Sequence, residues 1–395
     1  MKRIAIIGAG AAGCFCAAEV RRRMPSAVVD VYEAGARPLA KVAVTGGGRC
    51  NLTNTFAGLR SLAEAYPRGE RVMKRALKAF SQEDAREWFA VRGVPTVVQE
   101  DQCVFPRSQD AMDVVRALLR AMDGATLHTR YRVSRLSPEG GTWRIGFTEA
   151  PDAQADAVVV TTGGAAKGLP FLDGLGLEIV PPVPSLFTFT IREDGLRALM
   201  GLVVDASVGL PGTSFRAEGS LLVTDWGLSG PAVLKLSSYA ARHLAGCGYR
   251  APLSVRWLRD ADEAVRTLAA THPHKQITTV HPDRLPGRLW TFLTARAGLR
   301  DGLRWAELGN KGFHRLVAVL TGDTYSIEGK SRFREEFVTA GGVDLSNINL
   351  STLECKALPG LYFAGEVLDI DAVTGGFNLQ AAWSTGYAAA RSIAL

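Results

Sequence analysis

Apolar positions at the start of the chain fall into a strand, helix, strand rhythm. Ile4-Ala5-Ile6-Ile7 is one continuous apolar run, residues 11–23 favour helix and end in Arg21-Arg22-Arg23, and residues 27–32 form a second apolar run broken only by Asp30. Short runs of this kind, bounded by glycine, read as buried parallel strands joined by a crossover helix. The turn between them is Gly8-Ala9-Gly10-Ala11-Ala12-Gly13. In such a turn the first glycine permits the bend, the second lets a pyrophosphate approach the backbone, and the third lets helix and strand pack closely. Free N–H groups at the helix start suit an anion. Glu33 ends the second run, about twenty residues beyond Gly13, where a carboxylate can accept the hydroxyls of a ribose. The fingerprint, its flanking strands and this acid together predict a dinucleotide site.

The pattern continues with helix-forming residues over 60–92 and extended stretches at 97–105 and 126–136, with an amphipathic helix at 112–122 between them. A further strand is expected at 142–148. Ala157-Val158-Val159-Val160 then runs into Thr161-Thr162-Gly163-Gly164, as a buried strand does when its end delivers backbone to a ligand. Pro181-Pro182-Val183-Pro184 marks a break in style. Beyond it, 186–191, 202–208, 220–223 and 253–257 read as short strands. Pro231 opens a helix, and residues 260–320 are mainly helical. From Glu336 the first style returns: 337–342 is extended, 361–366 is a strand ending in Gly365-Glu366, and Gly375-Gly376-Phe377-Asn378-Leu379-Gln380 opens a helix that runs almost to the last residue. The expected architecture is α/β, a Rossmann-like domain with a parallel sheet, discontinuous over 1–184 and 335–395. Residues 185–334 form an inserted domain, β-rich at 185–258 and 321–334 and helical at 259–320.

Composition narrows the class. With 47% hydrophobic and 22% charged residues, the chain can bury a large core and is not disordered. The net charge of +7 is spread along the sequence. The arginines at 21–23 suit a helix C-terminus, and the cations of 68–78 read as a solvated helix face, which argues against a nucleic-acid partner. Lys2-Arg3 and the apolar run to Ala18 imitate a secretory signal, but cleavage there would destroy the unit that explains every glycine in the stretch. No run reaches the length of a membrane span, so a cytoplasmic location with no membrane partner is expected. Cysteines 14, 16, 50, 103, 247 and 355 form no C-x-x-C pair, and His272 and His274 flank a proline; no metal is expected.

After Glu33, the segment from Lys41 through Thr45-Gly46-Gly47-Gly48-Arg49-Cys50-Asn51-Leu52-Thr53-Asn54 has too many glycines and small polar residues for a helix or strand. It reads as a loop that wraps a ligand. Lys41 and Arg49 could instead be surface charges. Cys50 could be redox-active, but it lacks a resolving partner, and a structural or ligand-contact role is the alternative. Asp369 and Asp371 could be turn formers.

The fingerprint, the Thr161–Gly164 strand end and the strand ending at Gly365-Glu366 together resemble the two-dinucleotide-fold flavoproteins of the glutathione-reductase-like superfamily. Gly46–Asn54, Leu228-Ser229-Gly230-Pro231 and Gly365–Gln380 narrow this to a bacterial family of aminoacetone-oxidase-like and dehydro-bile-acid-reductase-like flavoproteins, similar over essentially the whole chain. Asp225 departs from that pattern, which more often carries His before the Gly-x-Ser-Gly-Pro turn.

The resemblance implies FAD as cofactor, held at Gly8, Gly10, Ala12, Gly13 and Glu33. It extends the site to Lys41, Arg49, Cys50, Asn51 and Asn54, to the backbone of Val133 at the adenine edge, and to Gly163, Gly365, Glu366 and Asp371. Gly376, Phe377, Asn378 and Leu379 complete it at the flavin ring. The activity implied is FAD-dependent oxidoreduction of a small organic substrate, as an NAD(P)H-linked reductase or as an oxidase using oxygen on an amine. A flavin-bound sensor or RNA-associated protein is the alternative of another class, prompted by a calculated pI near 9.2. No second G-x-G-x-x-G follows a strand, so a separate NAD(P)H domain is not expected.

Overall fold

The computed structural model describes residues 1–164, 168–330 and 338–395. The chain forms two compact units, Met1–Pro184 with Val338–Leu395, and Ser185–Phe337. The boundary expected at 334/335, the β-rich 331–334 and the first residue of the 337–342 strand lie outside the described residues.

The first unit is built on a parallel sheet of β1 (Arg3–Ile7), β2 (Val28–Glu33), β3 (Thr126–Thr129), β4 (Ala157–Val160) and β5 (Leu361–Phe363). Their order is β5-β4-β1-β2-β3, with every pairing parallel. β4 is buried at every position and β1 at all but its first, which is why both read as unbroken apolar runs. The crossover helix α1 (Ala11–Arg23) and the final helix α2 (Phe377–Ile393) pack against each other through small residues. A Cβ on Gly386 would sit 2.9 Å from the Ala12 carbonyl oxygen, so glycine sets how closely the two helices approach. Phe15, Trp88 and Trp383 fill the space beside them, with Phe15 centroids 4.7 Å and 5.6 Å from the two indoles. Within this apolar face Glu19 is 1% exposed, yet it accepts from Trp88 Nε1 at 2.9 Å and pairs with Arg22 at 2.8 Å. A buried carboxylate persists only with such partners.

Two extended stretches are not single strands. The 97–105 stretch turns back on itself as a hairpin of Thr96–Val98 and Cys103–Pro106, closed where Gln99 N donates to the Cys103 carbonyl at 2.9 Å. The 126–136 stretch breaks at Arg130, whose φ is +63°, into β3 and a strand of a separate meander, Val133–Glu139. The prolines at 181–184, a break in the sequence pattern, lie inside a strand, Ile179–Ser185, of a two-stranded ribbon with Val338–Val343. Proline is tolerated there because each strand has a free edge.

The second unit carries a seven-stranded antiparallel sheet. Its order is Asp323–Ile327, Ala251–Arg256, Val203–Gly209, Arg216–Thr224, Gly227–Ser229, Phe189–Thr190, Gly329–Lys330. The two outermost segments are consecutive in the chain, with only Glu328 between them, so the sheet curls until its edges meet in one bent strand. That is the barrel-like form expected. Helices Ala261–Thr271, Gly287–Arg296 and Gly309–Gly322 supply the helical part, around a core that includes Trp257, Trp290 and Trp305.

Candidate functional site

The turn after β1 carries three glycines with three different reasons. Gly8 has φ +106°, and a Cβ there would lie 2.6 Å from the Thr161 carbonyl oxygen on the neighbouring strand end. A Cβ on Gly13 would collide with the Gly8 carbonyl oxygen, so helix α1 can start this close to β1 only without a side chain. Gly10 differs: its φ of −85° suits any residue, and a Cβ would meet nothing within 4 Å. Among the described residues nothing stands where a side chain at position 10 would project, so the backbone there presents an open cradle. Ala11, Ala12 and Gly13 head the helix with N–H groups that lack intrahelical acceptors, and among the described residues no other protein acceptor reaches them.

Glu33 closes one side of this cradle. Its Oε2 accepts from Ala9 N at 3.0 Å and its Oε1 from Gly35 N at 2.6 Å. A carboxylate offers about four lone-pair sites, so each oxygen keeps capacity for a further donor. The chain from β3 arrives alongside: Tyr131 N donates to the Glu33 carbonyl at 2.9 Å and Arg130 N to the Gly35 carbonyl at 2.9 Å. This brings the start of the meander, including Val133, beside the acid. Burial raises the Cys14 thiol pKa, with the Glu33 charge adding to it, so that thiol stays neutral.

The ends of β4 and β5 form the opposite side. Thr161 Oγ1 donates to the Gly8 carbonyl at 2.8 Å and ties the two strand ends together. Gly163 is left-handed at φ +74°. Glu366 lies next to it, accepting from Thr339 N at 2.8 Å and facing Lys41 Nζ at 3.7 Å. A side chain at Gly164 would run into Thr339 and, at 2.6 Å, into Glu366 Oε1. Gly365 has φ +77°; its N–H donates to Thr385 Oγ1 at 2.9 Å, and a Cβ there would be 2.8 Å from the Ala12 methyl. Gly8, Gly10, Ala12, Gly13, Glu33, Lys41, Gly163, Gly365 and Glu366 therefore gather at one end of the sheet.

The segment expected as a loop is more ordered than that. Ala40–Val44 is a short helix and Thr53–Asn54 a short strand, because Lys41-Val42-Ala43-Val44 precedes the glycines and Thr53 finds a partner in Val104. Between them Gly46, Gly47 and Gly48 are all left-handed, at φ +60°, +67° and +80°. The strap binds the start of α2. With its amide turned to satisfy both neighbours, Asn51 donates to the Thr53 carbonyl at 3.0 Å and accepts from Gly376 N at 3.2 Å. Asn54 donates to the Gly375 carbonyl at 3.0 Å, Thr53 Oγ1 donates to Gln380 at 2.6 Å, and Trp383 Nε1 donates to the Leu52 carbonyl at 2.9 Å. Asn378 clamps Ala372 from both sides, accepting from its N–H at 2.9 Å and donating to its carbonyl at 3.1 Å. Tyr66 donates its hydroxyl to the Phe377 carbonyl at 2.9 Å. The N–H groups of Phe377, Asn378 and Leu379 have no protein acceptor among the described residues.

Arg49 and Asp371 likewise hold partners within the protein, and Cys50 is buried. Arg49 lies over the Phe105 ring at 4.4 Å and bonds Gln109 at 3.3 Å. Asp371, fully buried, is gripped by the Arg68 guanidinium through both its oxygens. Cys50 is buried in a left-handed conformation, φ +62°, and burial pushes its thiol up to about 12, which makes it a poor nucleophile. Arg68, Thr161, Thr339, Thr53 and Gln380 fall in stretches the sequence singles out, but their side-chain roles could not be read there. Each acts on a partner far away in sequence, and none belongs to a recognisable spacing. Among the described residues no cluster of three or more His, Cys, Asp or Glu side chains could hold a metal ion, and no helix is long and apolar enough to cross a membrane.

Residues 2–392 match the family profile described as HI0933-like protein Rossmann domain. Three curated proteins share 30% identity with the chain at nearly full length, among them the ribosomal RNA dihydrouridine synthase of Escherichia coli, over 98% of this chain and 97% of that protein. Another is the ribosomal RNA dihydrouridine synthase of Haemophilus influenzae, over 98% of this chain and 97% of that protein. The third is the 3-dehydro-bile acid delta(4,6)-reductase of Clostridium scindens, over 100% and 99%. Among solved structures, the 3-ketosteroid delta1-dehydrogenase of Sterolibacterium denitrificans aligns over all of both chains with a TM-score of 0.50 at 13% identity, a likeness of fold alone.

Proposed function

The chain belongs to the HI0933-like Rossmann-domain family and is an FAD-dependent oxidoreductase; from that premise we propose that it saturates a carbon–carbon double bond conjugated to a carbonyl, with NAD(P)H as the electron source. One observation carries the reaction class. Two relatives matched at nearly full length bear names with unlike substrates but the same bond change. Dihydrouridine is uridine with its ring double bond saturated beside a carbonyl, and a delta(4,6)-reductase of a 3-dehydro compound saturates double bonds in line with a ketone. In each case hydride adds to the carbon remote from the carbonyl and a proton to the nearer one. The balance is one NAD(P)H and one proton consumed per double bond.

The residues present fit FAD. In this reading Gly10 leaves the face where a pyrophosphate lies, and the α1 N–H groups of Ala11, Ala12 and Gly13 donate to it. Glu33 takes the ribose hydroxyls on its remaining lone pairs, and the backbone at Val133 meets the adenine. Gly163, Gly365 and Glu366 line the middle of the cofactor. The N–H groups of Phe377, Asn378 and Leu379, at the positive end of α2, favour negative charge placed before them. When bound, FAD supplies a two-electron carrier that accepts hydride from a nicotinamide and yields it to an activated carbon. Lys41, Asn51 and Asn54 position the walls of the site rather than touch a substrate.

The test is anaerobic mixing of the yellow holoprotein with NADH or NADPH, followed by an enone. Bleaching by the nicotinamide and recovery of colour on adding the enone is the expected outcome. Bleaching only by amines, with recovery only on admitting oxygen, sinks the proposal in favour of an oxidase.

A second reading concerns the acceptor. Two relatives, from Haemophilus influenzae and Escherichia coli, are named for ribosomal RNA, and the net charge of +7 suits a polyanion although its spread along the sequence argued the other way. In this reading the double bond is that of a uridine in RNA. Nucleoside mass spectrometry of transcribed ribosomal RNA, treated with holoprotein and NADPH, should find uridine that has gained two hydrogens; RNA that leaves the reaction unmodified removes this reading.

A further inference from the structure

The helix Glu70–Ala79 buries Val72, Met73 and Ala76 on one side. Its other side carries Arg71, Lys74, Arg75 and Lys78, all exposed, at the i, i+3, i+4, i+7 positions of a single face. Every neighbouring pair on that face is therefore like-charged at a spacing that destabilises a helix, and Arg71 sits in the first turn, where a cation opposes the dipole. None of the four makes an ion pair among the described residues; Arg75 donates to the Ser351 hydroxyl at 2.7 Å. Some exposed arginines on other helices are neutralised by an acid one turn earlier, as Arg116 is by Asp113 at 2.7 Å and Arg266 by Asp262 at 2.6 Å, whereas here four cations share one face. Of the nearby acids, Glu70 lies one turn before Lys74 at the head of the helix but makes no ion pair among the described residues, and Glu64 is held by Arg60 at 2.7 Å.

We infer that this stripe is a docking surface for the phosphate backbone of RNA, an inference that rests on the RNA reading of the acceptor given above. Four unneutralised cations over about 10 Å of helix lie within roughly one or two screening lengths of each other, so their potentials add and match a polyanion. Its position ties it to the site. Just before this helix, Tyr66 bonds the Phe377 carbonyl and Arg68 holds Asp371, so the element that would carry the RNA also braces the start of α2. Repulsion within the stripe is relieved when a polyanion binds.

The test uses full-length holoprotein and the variant R71Q/K74Q/R75Q/K78Q, with a transcribed ribosomal RNA hairpin followed by fluorescence anisotropy across a salt series. Wild type should bind with a steep salt dependence. The variant should bind at least tenfold more weakly at moderate salt, and its log–log salt slope should be shallower by about three, at about 0.7 for each phosphate left without its cation. Its melting temperature should be unchanged or higher, since like charges are removed, and its FAD content and enone reduction should be unaltered. Variant binding equal to wild type overturns the stripe while leaving the RNA reading intact. Wild type that neither binds nor modifies RNA ends both. Weaker binding with an unchanged slope, or a preference for phosphatidylserine vesicles over RNA, also overturns the inference.

Discussion

Two helix starts in the first unit do the same electrostatic work by different constructions. Helix α1 begins at Gly10 with no side-chain cap, and much of what shapes its start lies within the first forty residues, Gly8, Gly13, Glu33 and Gly35, with Thr161 and Gly365 closing on it from later strand ends. Helix α2 begins at Gly376, also uncapped and left-handed at φ +89°, but its start is held by Asn51, Thr53, Asn54 and Tyr66, more than three hundred residues earlier. The first start is folded largely by its own sequence neighbourhood. The second is assembled only when the strap and the chain end meet. Local construction tolerates little change in backbone shape, whereas the assembled one depends on buried polar partners that must all be satisfied.

Substitution at the two α1 glycines separates folding from binding, with the largest effect expected anywhere in the site. Gly13→Ala drives a methyl into the Gly8 carbonyl, which is backbone and cannot rotate away. It should destabilise the protein by about 4 kcal/mol or more, measured by urea unfolding, and FAD should be lost with the fold. Gly10→Ala meets no atom within 4 Å. The apoprotein should melt as wild type does, while FAD affinity falls at least tenfold. Equal damage from both would mean that Gly10 has a packing role and that the cradle is not a ligand face.

The assembled side breaks through Arg68. Replacing it with Met removes the guanidinium that grips the buried Asp371 carboxylate, and breaking a buried pair on one side costs about 3–5 kcal/mol. Since this pair lies next to the Ala372 turn clamped by Asn378, loss of FAD should accompany the loss of stability. Restoring stability with Asp371→Asn on top of Arg68→Met, judged by a double-mutant cycle, should recover much of it. No recovery would place the importance of Arg68 elsewhere.

The contrast also explains what could be read from the sequence. Three glycines, an acid and two apolar runs predict the α1 side because the contacts that shape the turn itself, Gly13 against Gly8 and Glu33 with Ala9 and Gly35, are between residues close in sequence. The final helix and its Gly375-Gly376 start were legible as an element, and the resemblance to known flavoproteins placed Asn51 and Asn54 near the site. Their actual partners were not legible, because a hydrogen bond between Asn54 and Gly375 leaves no periodicity in either segment. Asp371 is the clearest case. The resemblance implied a ligand contact and its residue type a turn former; neither showed that its charge is matched by Arg68, a residue that looked like one more cation on a solvated helix. The two extended stretches at 97–105 and 126–136 were misjudged for a related reason: Gln102 and Arg130 adopt positive φ without being glycine, and nothing in their sequence announces it.

Glu33 sharpens the local side at a smaller scale. Each oxygen already holds one backbone N–H, so Glu33→Gln should keep part of the turn while weakening the charge-assisted bonds to a ribose. Bonds of that type contribute roughly 1.5–3 kcal/mol each. Glu33→Ala should thus weaken FAD at least tenfold, with Glu33→Gln between it and wild type, in equilibrium titrations of apoprotein. A Glu33→Ala protein that holds FAD as tightly as wild type would remove the ribose assignment.

The smallest effect is expected at Cys50, and it decides whether the strap contributes chemistry or only geometry. A redox or nucleophilic cysteine needs thiolate near neutral pH. Burial raises this thiol to about 12 against its ordinary value of 9.0, so from about pH 6 to 9 it stays protonated. The sign follows directly: a raised thiol pKa removes thiolate at working pH, and activity tied to Cys50 would climb steeply above pH 9. Cys50→Ala keeps the small volume and can occupy φ +62° at modest cost, since the site already holds a non-glycine residue there. Turnover should change less than about twofold, with the same pH profile, and iodoacetamide should label wild-type Cys50 no faster than buried Cys14. Should the variant instead lose activity while retaining FAD and melting temperature, the strap would be a participant in the reaction rather than the brace that sets the start of α2.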